Sequence, residues 1–211
     1  MRAFLRLKTM IEAHFATRIY RAPLLTRGLV AINDDLADEC EKIRAFDVPG
    51  QRWSKDNYPG GYTSYGSMDR LHQFSSTFDT LRRRIDRHVA RYADALEWDV
   101  TPDQLAMTDC WINLMPRGCA HSFHVHPQSV ISGTYYVATP RGASPITFED
   151  PRLTKMMAAP PRRADAAQRS HLRVKPRAGD VLLFESWLRH EVPPSRIDDL
   201  RISVSFNYHL R

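Results

Sequence analysis

From residue 107 onward the chain breaks into short runs of β-forming composition, at 110–115, 131–138, 146–148, 172–175, 181–184 and 201–209, nearly all separated by turn residues. No helical pattern intervenes between them. Six or more short strands in that arrangement predict a jelly-roll barrel, a double sheet whose mouth holds a small ligand. The expected fold class is therefore mainly β, a double-stranded β-helix (jelly-roll, cupin-like) core with N-terminal helices packed on it.

The first half of the chain reads as that support. Residues 15–23 alternate apolar and polar side chains like a short strand that Pro23 ends, placed at the border of the sheet. Leu29, Val30, Ile32, Leu36, Cys40 and Ile43 recur at near-helical spacing, with Asn33 or Asp34 as the cap. The stretch 51–68 is rich in Gly, Tyr, Ser and Asn and predicts an aromatic-bearing loop. Residues 74–97 carry Phe78, Leu81, Ile85, Val89, Tyr92 and Leu96 at intervals of three and four, an amphipathic helix capped by Ser75 or Ser76, with Arg82, Arg83 and Arg84 on its solvated face. Residues 153–171 lack strand alternation and predict a long insertion. The 211 residues thus read as one domain, 1–106 supporting a 107–211 core.

Composition narrows the function class. Hydrophobic content of 43% and charged content of 26% suit a globular chain. The net charge of +6 is spread among acidic residues, and no nucleic-acid-binding spacing accompanies it, so no nucleic-acid partner is expected. Residues 1–8 are basic and partly apolar, but no signal-peptide run develops before Glu12 and His14, and no stretch approaches the roughly 20 apolar residues of a membrane-spanning helix. Cys40, Cys110 and Cys119 are odd in number and lack CxxC spacing, which argues against a disulfide framework and for a reducing, cytoplasmic setting. A homodimer is compatible with all of this.

The chemistry concentrates in Ala120-His121-Ser122-Phe123-His124-Val125-His126-Pro127. On extended backbone, residues two apart project to the same side, and Pro127 biases His126 toward that geometry. His124 and His126 can therefore approach one metal, with His190 arriving later after the apolar run 181–184. Neutral imidazole suits iron, zinc, copper and nickel alike. His121 is off this pattern and is assigned a supporting or surface position. His14, His72, His88 and His171 have no partner at ligand spacing, and His209 ends the last strand. On that strand Arg201, Ser203, Ser205 and Asn207 share one polar face, and Ile202, Val204, Phe206 and Tyr208 an apolar one. Asn113 and Tyr136 are further candidate pocket groups, while Trp111 and Trp187 are assigned to the core.

Taken together these segments resemble the non-haem iron and 2-oxoglutarate oxygenases, and more closely a bacterial 2OG-Fe(II) oxygenase group whose pattern runs W-x-N, H-x-H-P, S-G-x-Y-Y, F-x-D-P-R, G-D, S-W-L-x-H and R-x-S-x-S-F-N. This chain supplies Trp111 and Asn113, His124 to Pro127, Ser132 to Tyr136, Phe148 to Arg152, Gly179 and Asp180, Ser186 to His190, and Arg201 to Asn207. The resemblance covers about half the chain and is loose upstream of Met107. It implies Fe(II) and 2-oxoglutarate as cofactors and hydroxylation of a small-molecule or peptide substrate with release of succinate and CO2. His124, His126 and His190 would be the iron ligands, with His126 where the wider superfamily has a carboxylate, and Asp150, otherwise a turn former, as the reserve carboxylate. Arg201 would pair with the C5 carboxylate of 2-oxoglutarate, with Ser203, Asn113, Tyr136 and Asn207 as further cofactor-binding groups. Two other readings stay open: a three-histidine cupin-type dioxygenase that needs no 2-oxoglutarate, and a non-catalytic metal- or anion-binding barrel.

Overall fold

The computed structural model describes residues 11–163 and 170–211. The reading of residues 1–8 and the middle of the 153–171 insertion fall outside them. In chain order the elements are β1 (Tyr20–Pro23), α1 (Leu29–Phe46), α2 (Val48–Asn57), β2 (Tyr62–Thr63), α3 (Leu71–Phe74), α4 (Ser76–Ala95), β3 (Leu105–Met115), β4 (His121–His124), β5 (Ile131–Ala138), β6 (Ile146–Glu149), β7 (His171–Val174), β8 (Asp180–Glu185), β9 (His190–Val192) and β10 (Arg201–Leu210). They form a six-stranded sheet, β1-β8-β5-β10-β3-β2, and a four-stranded sheet, β4-β9-β6-β7. Every strand pairing is antiparallel. This is the jelly-roll expected from the short runs.

The large sheet is covered on both faces, and the two-residue period of its strands sorts the side chains accordingly. Ile202, Val204, Phe206 and Tyr208 of β10 join a core built with Phe78, Leu81, Ile85, Val89 and Tyr92 of α4 and with Leu36, Cys40 and Ile43 of α1. On the other face, between the sheets, Tyr136, Leu182 and Phe184 meet Ile146, Phe148, Leu188 and Val192. Arg201, Ser203 and Ser205 of β10 point into that inner space. The helices thus seal the outside of the sheet whose inside carries the chemistry.

Several local expectations change. The 51–68 segment starts as helix: α2 runs through Asn57 because the Asp47 carboxylate accepts from Gly50 N–H at 3.0 Å and Pro49 sits in the first turn. The same carboxylate accepts from Tyr62 Oη at 2.7 Å and from Ser67 Oγ at 2.5 Å, so one buried Asp ties α2 to the rest of that segment. Neither Asn33 nor Asp34 caps α1, which begins after Gly28 in left-handed backbone (φ 74). Asn33 lies inside the helix and accepts from Tyr135 Oη at 2.5 Å, fastening α1 to β5. The 74–97 helix is α4 alone, shortened at both ends. Ser75 is extended and its Oγ accepts from the Thr77 and Phe78 N–H groups, while Glu97 turns left-handed at φ 62. On its solvated face Arg82 is half-buried between Asp79 and Asp86, and Arg84 Nη1 is buried. Among the described residues of 153–171, Leu153–Ala158 form a 3-10 helix and β7 begins at His171. Trp187 is 49% exposed rather than core, since it lies in the turn between β8 and β9. The three cysteines are buried and free. No helix of the described residues is long and apolar enough to cross a membrane.

Gly133 in the middle of β5 shows how closely the sheet is packed. A Cβ there would stand 2.6 Å from the Leu182 carbonyl oxygen and 2.6 Å from the Phe206 ring. The carbonyl is backbone and cannot swing away. Gly133→Ala is therefore expected to destabilise the fold by about 1–3 kcal/mol or more, as overpacking of a core does, read as a lowered midpoint in urea denaturation; an unchanged midpoint would show that the sheet relaxes freely at this point.

Candidate metal centre

His124 closes β4 and His190 opens β9, and the two residues face each other directly across the antiparallel pair. Cross-strand neighbours on one face have Cβ atoms about 5 Å apart, which suffices to bring imidazoles together; here the ring centroids are 4.3 Å apart. His126 lies just beyond β4, where its N–H donates to the Ser186 carbonyl at 3.0 Å. Its ring stacks parallel to that of His190, with centroids 5.2 Å apart and planes 10° apart. One nitrogen from each of the three residues lies within 4.8 Å of the others.

The tautomers are arranged for ligation. His124 Nδ1 lies 2.7 Å from the Ser122 carbonyl and His190 Nδ1 lies 2.8 Å from the Leu188 carbonyl, the same contact two residues back in both cases. A carbonyl only accepts, so each Nδ1 carries the proton and each Nε2 is left as a lone-pair donor. The Nε2 atoms of His126 and His190 approach to 3.3 Å. An ion with bonds of about 2.1 Å spaces two nitrogen ligands roughly 3.0–3.4 Å apart, so the three residues fit one ion. Burial, followed by the field of His124, pushes the imidazoles of His126 and His190 down to about 4 and about 2. All three are neutral, the form that binds metal.

Arg201, 3% exposed, enters the same narrow cavity from the start of β10. Its Nη1 donates to Met115 Sδ at 2.9 Å and to Ser203 Oγ at 3.4 Å, its guanidinium carbon lies 5.2 Å from the centre of the Tyr136 ring, and its Nε has no partner. No carboxylate among the described residues pairs with it. Tyr136 Oη and Asn113 Oδ1 are likewise buried without partners. Asn113 Nδ2 donates to Ser205 Oγ at 3.0 Å. A buried cation beside an unpartnered hydroxyl is costly unless an anion that accepts from both fills the space.

The structure gathers His124, His126, His190, Arg201, Ser203 and Asn113 into one cavity, with the Tyr136 ring beneath Arg201. Asn207 stands apart from it: its Oδ1 accepts from Ser132 Oγ at 2.9 Å, its Nδ2 donates to Asp109 Oδ2 at 3.1 Å, and it hydrogen-bonds the His126 ring. Asp150 is held by Arg152 and Lys155, its carboxyl at about 2 mainly because Arg152 hydrogen-bonds it, and it is no part of the histidine group. Trp111 is buried as its assignment to the core expects, and it also lines the cavity, stacking on His126 with centroids 5.9 Å apart. His121 also lines it, outside the group of three converging histidines, so its place is the supporting one rather than the surface one. Its one legible signal was membership of the histidine cluster. Ile146, Phe184 and Val192 supply the apolar wall.

Comparison with known proteins agrees with this geometry. Residues 109–207 match the family model described as "Putative 2OG-Fe(II) oxygenase", a segment that takes in all three histidines and Arg201. HygX from Streptomyces hygroscopicus, solved with nickel and 2-oxoglutarate bound, superposes with a TM-score of 0.62 at 14% identity, over 92% of this chain and 83% of that one. A Pseudomonas putida prolyl-4-hydroxylase superposes with a TM-score of 0.53 at 17% identity, over 92% of this chain and 94% of that one. The epimerase SnoN, in complex with Fe3+, alpha ketoglutarate and nogalamycin RO, does so at 0.59 and 15% identity, over 92% and 79%. Such identities speak for a shared fold. No curated protein matches the sequence.

The buried imidazoles set a pH dependence. Their folded pKa values lie below the ordinary 6.5, so below that pH the unfolded chain binds protons that the folded metal-free protein refuses. Stability is then lost as pH falls from 6.5 toward 4. The thermal midpoint of the metal-free protein is expected to drop steadily across that window, and a His126→Asn variant should show a shallower drop; a flat profile in calorimetry would contradict the burial of these rings.

Proposed function

We propose that this chain, whose barrel belongs to the 2OG-Fe(II) oxygenase family, hydroxylates an organic substrate, a small molecule or a peptide, using Fe(II) and 2-oxoglutarate and releasing succinate and CO2. The observation that carries the reading is the buried Arg201 guanidinium, without a carboxylate partner among the described residues, in one cavity with three metal-ready imidazoles. A metal alone would explain the histidines. It would not explain a buried cation beside them. A dianionic 2-oxo acid explains both, because one end can reach the ion while the other meets Arg201.

In this reading His124, His126 and His190 hold the iron through Nε2, with the Ser122 and Leu188 carbonyls fixing two of the rings. Iron with 2-oxoglutarate supplies the oxidising chemistry, in which dioxygen is reduced while the 2-oxo acid loses CO2 and one oxygen atom enters a substrate C–H bond. Arg201 receives the C5 carboxylate with its fork of N–H groups, Ser203 and Tyr136 add hydroxyls, and Asn113 offers a side-chain amide. Ile146, Phe184 and Val192 keep bulk water from the inner end. Three neutral ligands leave the ion's positive charge uncompensated by protein, so the dianion is held by ion and arginine together. Asn207 acts on this site through His126, as a positioning residue. Residues 1–106 serve as a support for the barrel within one domain.

The three-histidine dioxygenase that needs no 2-oxoglutarate loses ground to Arg201, for which it provides no anion. In nickel-loaded protein, Arg201→Ala is expected to weaken 2-oxoglutarate binding by about 100-fold or more, the scale for losing a buried charge partner, with nickel still bound one per chain. Titration calorimetry reads both quantities, and unchanged 2-oxoglutarate affinity overturns the assignment. His190→Ala is expected to lose stoichiometric metal altogether, checked by elemental analysis after gel filtration.

A further inference from the structure

His121 is the residue of the histidine cluster that the metal does not use. It begins β4, where its pairing with Val192 of β9 fixes the backbone, and its side chain lines the cavity that contains the triad and Arg201. On one side the ring rests on Tyr58, with centroids 4.5 Å apart, and on the other it lies 5.8 Å from the ring of His124. It is also near enough to Arg201 for the guanidinium charge to act on it, and both residues line the one cavity. Its nitrogens make no hydrogen bond among the described residues, and it stands outside the group whose nitrogens converge on one point.

A ligand held at one end by the triad and at the other by Arg201 has to run along the wall between them. His121 is on that wall. A neutral imidazole there carries one N–H that the protein leaves unengaged, and the Tyr58 ring limits how the side chain can turn away. We propose that His121 is a cosubstrate-binding residue, its N–H donating to a carboxylate of the 2-oxo dicarboxylic acid that spans from the three histidines to Arg201. The inference rests on the functional reading above. It gives the N-terminal half a part in the site as well, since Tyr58 follows α2 and orients the ring that meets the ligand.

The test uses the full chain loaded with nickel and titrated with 2-oxoglutarate in a calorimeter. His121→Phe keeps a flat ring against Tyr58 but removes the donor, and it is expected to weaken 2-oxoglutarate binding by about 10- to 100-fold, the range for a hydrogen bond to a charged acceptor. His121→Gln, which restores an N–H donor, is expected to recover most of the affinity. Both should keep one nickel per chain. Wild-type affinity in His121→Phe, while Arg201→Ala binds weakly, overturns the proposal and leaves the functional reading standing; wild-type affinity in Arg201→Ala removes both. Loss of nickel from either His121 variant, or a Gln variant as weak as Phe, assigns His121 to metal binding or to packing and also overturns it.

Discussion

A sheet covered on both faces has no side on which a misplaced residue can be tolerated. In this protein the six-stranded sheet lies between helices α1 and α4 and the interior of the barrel, and β10 runs through its middle, paired with β3 and β5. Its alternate residues must therefore be apolar toward the helices and matched to the cavity contents on the other face. Ile202, Val204, Phe206 and Tyr208 meet the first demand, and Arg201, Ser203 and Ser205 the second. A slip of one residue would place a guanidinium under the helices and isoleucine in the cavity. The position of the site follows from that register.

The histidine triad depends on a second pairing, in the smaller sheet. His124 and His190 meet because β4 and β9 are antiparallel with these residues opposed, and His126 joins because the chain leaves β4 along Ser186. Rings brought together by backbone pairing need little ordering when an ion arrives, which reduces the entropy that binding would otherwise have to overcome. The carbonyl two residues back on His124 and on His190 does the remaining work by fixing the proton on Nδ1.

Charge then distinguishes this centre from a simple metal site. The three converging imidazoles are neutral, Asp150 is held elsewhere by Arg152 and Lys155, and Arg201 adds a buried positive charge. The cavity is therefore cationic once an ion is present, and an anion bridging ion and guanidinium lowers its energy at both ends. Among the described residues the Tyr136 hydroxyl and Arg201 Nε are buried donors without partners, and such an anion would accept from both.

Much of this was legible in the amino-acid sequence. The six runs after residue 107 all became strands, the period-two pattern of 201–208 gave the correct faces, local spacing paired His124 with His126, and the resemblance to the oxygenases added His190 and Arg201, which share their cavity. Contacts between distant segments were not legible. Whether 48–57 is helix turned on Asp47 finding Gly50, Tyr62 and Ser67, and whether Trp111 or Trp187 is buried turned on which one a neighbouring strand covers. His121 is the sharpest case: a residue two positions from His124 on a regular strand shares its face by periodicity, but His121 precedes it by three, and its place was set by the irregular register between β4 and β9 and by the Tyr58 ring beside it. Periodicity is a property of the local backbone and survives in sequence; which side chains close a cavity depends on register and on partners dozens of residues away, and only the folded chain decides that.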